Sequence, residues 1–74
     1  MYQYIYFVDY CMKSNSLHAL CSSIEDYCRN HDGSYYVGKY VFRLIYRDGA
    51  WVYDDNFRAR IGIVSGKVIL RIVK

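Results

Sequence analysis

Cys11, His18, Cys21, Cys28 and His31 place five potential metal ligands within one third of a 74-residue chain. Zinc held tetrahedrally is the chemistry such residues serve best. Their spacing argues against it. His18 and Cys21 are three apart, as are Cys28 and His31, but the pairs are about two to three helical turns from each other, while four ligands must meet at one point. On a helix His18 also points about 60° away from Cys21. Packing explains the thiols more simply, since a free cysteine behaves as a small hydrophobe. Thiol catalysis lacks support as well, because no Gly-rich oxyanion turn accompanies any of the cysteines. Glu25 and Asp26 are neighbours, so on a helix their carboxylates diverge by about 100° and cannot act as a pair. Asp54 and Asp55 stand in an Asp-Asp-Asn run of the kind that favours a turn. Neither a P-loop nor a GxGxxG motif is present. The chain is expected to be no enzyme and to need no metal or cofactor.

Charge is the stronger signal. Lys39, Arg43 and Arg47 fall on odd positions with Val41 and Ile45, while Tyr40, Phe42, Leu44 and Tyr46 hold the even ones. Further on, Arg58 and Arg60 alternate with Phe57, Ala59, Ile61 and Ile63, and Lys67 and Arg71 alternate with Val68, Leu70 and Ile72. Successive strand side chains point to opposite sheet faces. The pattern therefore predicts a core face bearing most of the large apolar residues, and an open face carrying Lys39, Arg43, Arg47, Arg58, Arg60, Lys67 and Arg71 as a partner-binding surface.

The elements that must position these residues can be read from periodicity. Residues 2–9 are rich in β-formers and read as a strand. Over 15–31 the period changes: Leu17, Leu20, Cys21, Ile24, Tyr27, Cys28 and His31 follow helical spacing. Ser14, Asn15 or Ser16 supplies the N-cap, Asp32-Gly33 the stop, and Glu25 with Arg29 an i,i+4 pair on the solvent face. Residues 35–47 form a long strand with a bend at Gly38. Asp48-Gly49 then closes a two-residue hairpin setting Tyr46 opposite Trp51, Leu44 opposite Tyr53 and Arg43 opposite Asp54. Asp54-Asp55-Asn56 turns again. Residues 57–64 pair back through Ser65-Gly66, with Ile63 facing Val68, Ile61 facing Leu70 and Ala59 facing Ile72. That register also puts Arg60 directly against Arg71, an unfavourable like-charge pair. The expected fold is α+β: a βαββββ order, with an antiparallel meander sheet and a single amphipathic helix on one face. The first strand is left two positions, parallel to the second strand or beside the fifth.

Residues 1–74 make one domain near the lower limit for folding on a hydrophobic core alone. Ten Tyr, three Phe and one Trp, with no proline, supply the bulk that such a core needs. Three cysteines cannot all pair, and Cys21 and Cys28 lie about 10 Å apart along a helix, too far to bridge. That pattern points to free thiols in a reducing compartment, the cytoplasm. No apolar run approaches the roughly 20 residues of a membrane span.

With the large rings assigned to the core side, the basic face holds arginines among Val41, Ile45, Val52, Ile69 and Val73. Aliphatic residues stack poorly on bases, whereas arginine and tyrosine are enriched in protein interfaces. The expected partner is an acidic protein surface or a nucleoprotein complex. RNA or single-stranded DNA binding through the same cations is the alternative, with Tyr2, Tyr4 and Tyr6 as a stacking platform. A homodimer through the edge segment 67–74 is a third reading. In size, simple α+β pattern and lack of catalytic residues, the whole chain resembles the small phage-encoded inhibitors of host defence, the anti-CRISPR proteins, although no motif is shared. The resemblance implies a non-enzymatic viral inhibitor that masks a protein surface or a nucleic-acid-binding groove on a CRISPR effector. The nucleic-acid mimics among such inhibitors are strongly acidic, and this chain, at a net charge of +3, departs from them.

Overall fold

Ser16 begins the helix: its backbone is extended and its Oγ accepts the Ala19 N–H, which satisfies one of the donors a helix start leaves free. A computed structural model describes residues 3–9 and 11–73, so Tyr2 of the expected tyrosine platform lies outside the described residues. In chain order come β1 (Tyr4–Phe7), β2 (Lys13–Ser14), α1 (Leu17–Asn30), a 3₁₀ turn at Gly33–Tyr35, β3 (Tyr40–Arg47), β4 (Ala50–Val64) and β5 (Lys67–Ile72). One helix packs on one face of a five-stranded antiparallel sheet, as the α+β reading expects. The sheet order is β2-β1-β3-β4-β5.

Within that class the element order is ββαβββ rather than βαββββ. Residues 35–39 lie in the 3₁₀ turn and the loop after it rather than in a strand. Four further details differ from the sequence reading. First, β1 runs antiparallel to β3, with Tyr4 opposite Ile45 and Tyr6 opposite Arg43, rather than parallel to it or beside the last strand. Asp9 is the cause. Its carboxylate accepts the Cys11 and Met12 N–H groups, and the turn it holds sends the chain back as β2, so the helix departs from the opposite end. Second, Asp54–Asn56 does not reverse the chain. β4 continues through it, pairing with β3 on both sides of an irregularity. Third, the helix ends at Asn30 with an extended His31. Gly33 has no left-handed role; a Cβ there would lie 2.8 Å from Cys28 Sγ, so close approach is what calls for glycine. Fourth, Arg29 pairs with Asp26. Glu25 instead turns to the sheet, and its Oε2 accepts the Val68 N–H at 2.9 Å.

The hairpins follow the sequence. Asp48 and Gly49, like Ser65 and Gly66, have positive φ at both positions, the type I′ geometry that matches strand twist. Tyr46 faces Trp51, Leu44 faces Tyr53, and Ala59, Ile61 and Ile63 face Ile72, Leu70 and Val68.

Leu20 and Ile24 of α1 are fully buried against Val41, Ala59 and Ile61, with Tyr36 closing one end. Burying each aliphatic side chain is worth about 1.5–3 kcal/mol. Burial holds the Tyr36 phenol neutral, its pKa pushed up to about 12. Tyr6, Phe57, Ile63, Val68 and Leu70 extend this core toward its rim.

Candidate functional site

Directly paired strand residues project to the same side, so the buried pair Val41 and Ala59 assigns the faces of β3 and β4. Val41, and with it Arg43 and Ile45, lies on the helix side. Tyr40, Phe42, Leu44 and Tyr46 therefore point the other way, onto a face no described helix covers. This reverses the expectation for that strand. Arg58 pairs with Phe42, Arg60 with Tyr40, and Arg71 with Arg60, so the aromatic residues share the open face with arginines.

The seven candidate cations thus divide between two faces. Arg58, Arg60, Lys67 and Arg71 share the open one. Lys39, Arg43 and Arg47 have the parity of Val41 on the helix side, and a single seven-cation surface is not formed. Lys39 Nζ sits 4.5 Å from the Tyr35 ring. Arg43 is enclosed: its guanidinium lies 4.5 Å from the Tyr4 ring and 4.8 Å from Phe57, and its Nε and Nη2 donate to Asp54 Oδ2 at 2.8 and 2.6 Å. Burial opposes its charge, but Tyr6 and Asp54 outweigh that and hold its proton more firmly than usual. This is a structural clamp on the β4 irregularity.

Rings converge on the open face. Phe7, Phe42 and Tyr53 meet with centroids 5.7–6.0 Å apart, and Tyr40 lies 6.2 Å from Phe42. Tyr53 is 54% exposed and Trp51, packed edge-on against Tyr46, is 39% exposed. Arg58 lies 5.2 Å above Tyr40. Among the described residues Arg58, Arg60, Lys67 and Arg71 have no carboxylate partner. Lys13, opposite Phe7, adds a fifth cation that the sequence reading left out. The signal that could have found these residues was the match of Val41 to Ala59. It was hidden because reading Asp54–Asn56 as a reversal separated β3 from residues 57–61.

The thiols and histidines do not form a centre. Cys21 and Cys28 are half-buried beside the core and His18 and His31 are exposed. Burial, then Glu25, pushes the Cys21 thiol up, which opposes thiolate chemistry. No group of three or more metal-binding side chains gathers among the described residues, and none of their helices is long and apolar enough to cross a membrane.

The clamp gives a pH prediction. The Asn56 N–H, then Arg43, holds the Asp54 carboxyl below its ordinary value of 3.8. A depressed folded pKa contributes stability that is present above the unfolded value and lost as pH falls through the folded one. Asp54→Asn should therefore flatten the loss of stability below about pH 4, read by urea melts across that range. An acid limb as steep as the parent's would show that the clamp does not act.

No family model, no curated protein and no solved structure matches the chain.

Proposed function

We propose that the protein binds single-stranded nucleic acid on its open sheet face. The observation supporting this is the gathering of Phe7, Tyr40, Phe42 and Tyr53 beside Arg58, Arg60 and Arg71 on one uncovered surface. Every base has a π-face, so ring stacking is tolerant of sequence and contributes about 1–3 kcal/mol per base. A strand following β3 would set its bases over Tyr40 and Phe42 and its phosphates over the cations of β4 and β5. The unpaired arginines gain what they lack, an anionic partner.

The test is a titration of fluorescently labelled oligouridylate RNA and oligothymidylate DNA, each about eight nucleotides long, at about 50 and 200 mM salt. Binding is expected at the lower concentration, with affinity falling steeply at the higher. Absence of binding at low salt rejects the reading.

A second reading rests on Val64 and Ile69, which are 58% and 46% exposed next to Arg60 and Arg71. Aliphatic groups add nothing to base stacking. They suit an inhibitor docked on an acidic protein surface or nucleoprotein complex, as the anti-CRISPR resemblance implies. Affinity capture after nuclease treatment separates the two, since a protein partner survives it. Three free cysteines fit a reducing cytoplasm in either case.

A further inference from the structure

Between the pairs Phe42–Arg58 and Leu44–Tyr53, one residue of β3 stands against four of β4, Asp54 to Phe57. Bulges of this kind re-aim side chains and are over-represented beside functional sites. Here the bulge opens a cavity of about 520 Å³ lined by the rings of Phe42 and Tyr53 and by Asp55, Asn56, Arg58 and Ile72. The cavity adjoins the ring cluster of the open face, since Phe42 and Tyr53 belong to both.

The three polar residues of the bulge are not equivalent. Asp54 is engaged within the fold, one oxygen accepting the Asn56 N–H and the other Arg43. Among the described residues, the Asp55 carboxylate and the Asn56 side-chain amide have no hydrogen-bond or ion-pair partner. A carboxylate is out of place in a phosphate track, where it would repel the ligand. Opposite hydrogen-bond donors it is favourable.

We infer that this cavity takes a single guanine base from the bound strand, an inference that rests on the nucleic-acid reading above. A carboxylate accepts two hydrogen bonds side by side and donates none, while an amide NH₂ donates. The Watson–Crick edge of guanine offers two adjacent donors, N1–H and the N2 amino group, next to the O6 acceptor. Asp55 complements the donors and Asn56 the acceptor. Adenine, cytosine and uracil each bring a ring or carbonyl lone pair against the carboxylate. Reading an unstacked base along its Watson–Crick edge between aromatic walls is how sequence-specific single-strand recognition works in general.

The experiment compares four labelled RNAs of about eight nucleotides: oligouridylate, and the same strand with one central uridine replaced by guanosine, adenosine or cytidine. The guanosine strand should bind about tenfold tighter than the other three, the range expected for one well-made base contact. For Asp55→Asn the ratio between the guanosine and uridine strands should collapse toward one. Asn56→Ala should narrow it as well. Equal affinity for the four strands overturns the guanine inference while the open-face reading stands. A preference that persists undiminished in Asp55→Asn overturns it too. If none of the four strands binds, both readings fall together.

Discussion

Reversing charge at both Arg60 and Arg71 should abolish detectable binding of a single-stranded oligonucleotide at physiological salt. The two arginines lie directly opposite one another on the open face, and neither has a carboxylate partner among the described residues. Like charges in that position oppose the sheet, so an anion laid across both relieves repulsion as it binds. Arg60→Glu with Arg71→Glu removes that gain and substitutes a repulsion of the opposite sign. Each lost phosphate contact also lowers the salt slope by about 0.7 for a single strand, hence by about 1.4 for two. The single variant Arg60→Glu is the fold control. It creates a cross-strand Glu–Arg pair, which should support the hairpin while weakening binding. Anisotropy titrations with the parent, single and double variants give the comparison. A double variant that binds as tightly as the parent would show that the ligand does not lie there.

Truncating Ile24 to alanine should remove a large part of the domain's stability. Ile24 is fully buried on α1 and packs in the cluster with Leu20, Val41, Ala59 and Ile61. A deletion of this type costs about 2–5 kcal/mol, through lost transfer energy and the cavity it leaves. A chain of 74 residues has about 4–11 kcal/mol in total, at about 0.05–0.15 kcal/mol per residue. One helix covering part of one face leaves few other contacts to absorb the loss. Urea melts followed by the helix signal measure it directly. A midpoint shift worth less than about 1 kcal/mol would mean that the helix–sheet core contributes little to this fold.

The helix stripe was readable because Leu20 and Ile24 recur at a period that only one element satisfies, and Ser16 stood ready to cap it. The hairpins were readable because Asp48-Gly49 and Ser65-Gly66 can adopt backbone angles most residues avoid. Each of these signals is local: a few neighbouring residues decide it whatever the rest of the chain does. The Arg43–Asp54 contact was also anticipated from hairpin register.

Face assignment is of another kind. Alternation sorts Tyr40, Phe42, Leu44 and Tyr46 from Val41, Arg43 and Ile45, but leaves undecided which set lies under the helix. Bulk favoured the ringed set. Tertiary structure chose Val41, because it pairs with Ala59, and small aliphatic residues let α1 approach the sheet closely enough to bury Leu20 and Ile24. Asp54 to Phe57 were equally undetermined. An Asp-Asp-Asn run suits a reversal, yet Arg43, enclosed by Tyr4 and Phe57, draws Asp54 inward and keeps β4 running in one direction. Sequence alone thus determined the α+β class, the helix, the two hairpins and the β4–β5 register, each through short-range geometry. The packing of distant segments decided that rings and arginines share the open face and that a cavity opens between them, because side chains far apart in sequence settle which of two equivalent faces is covered.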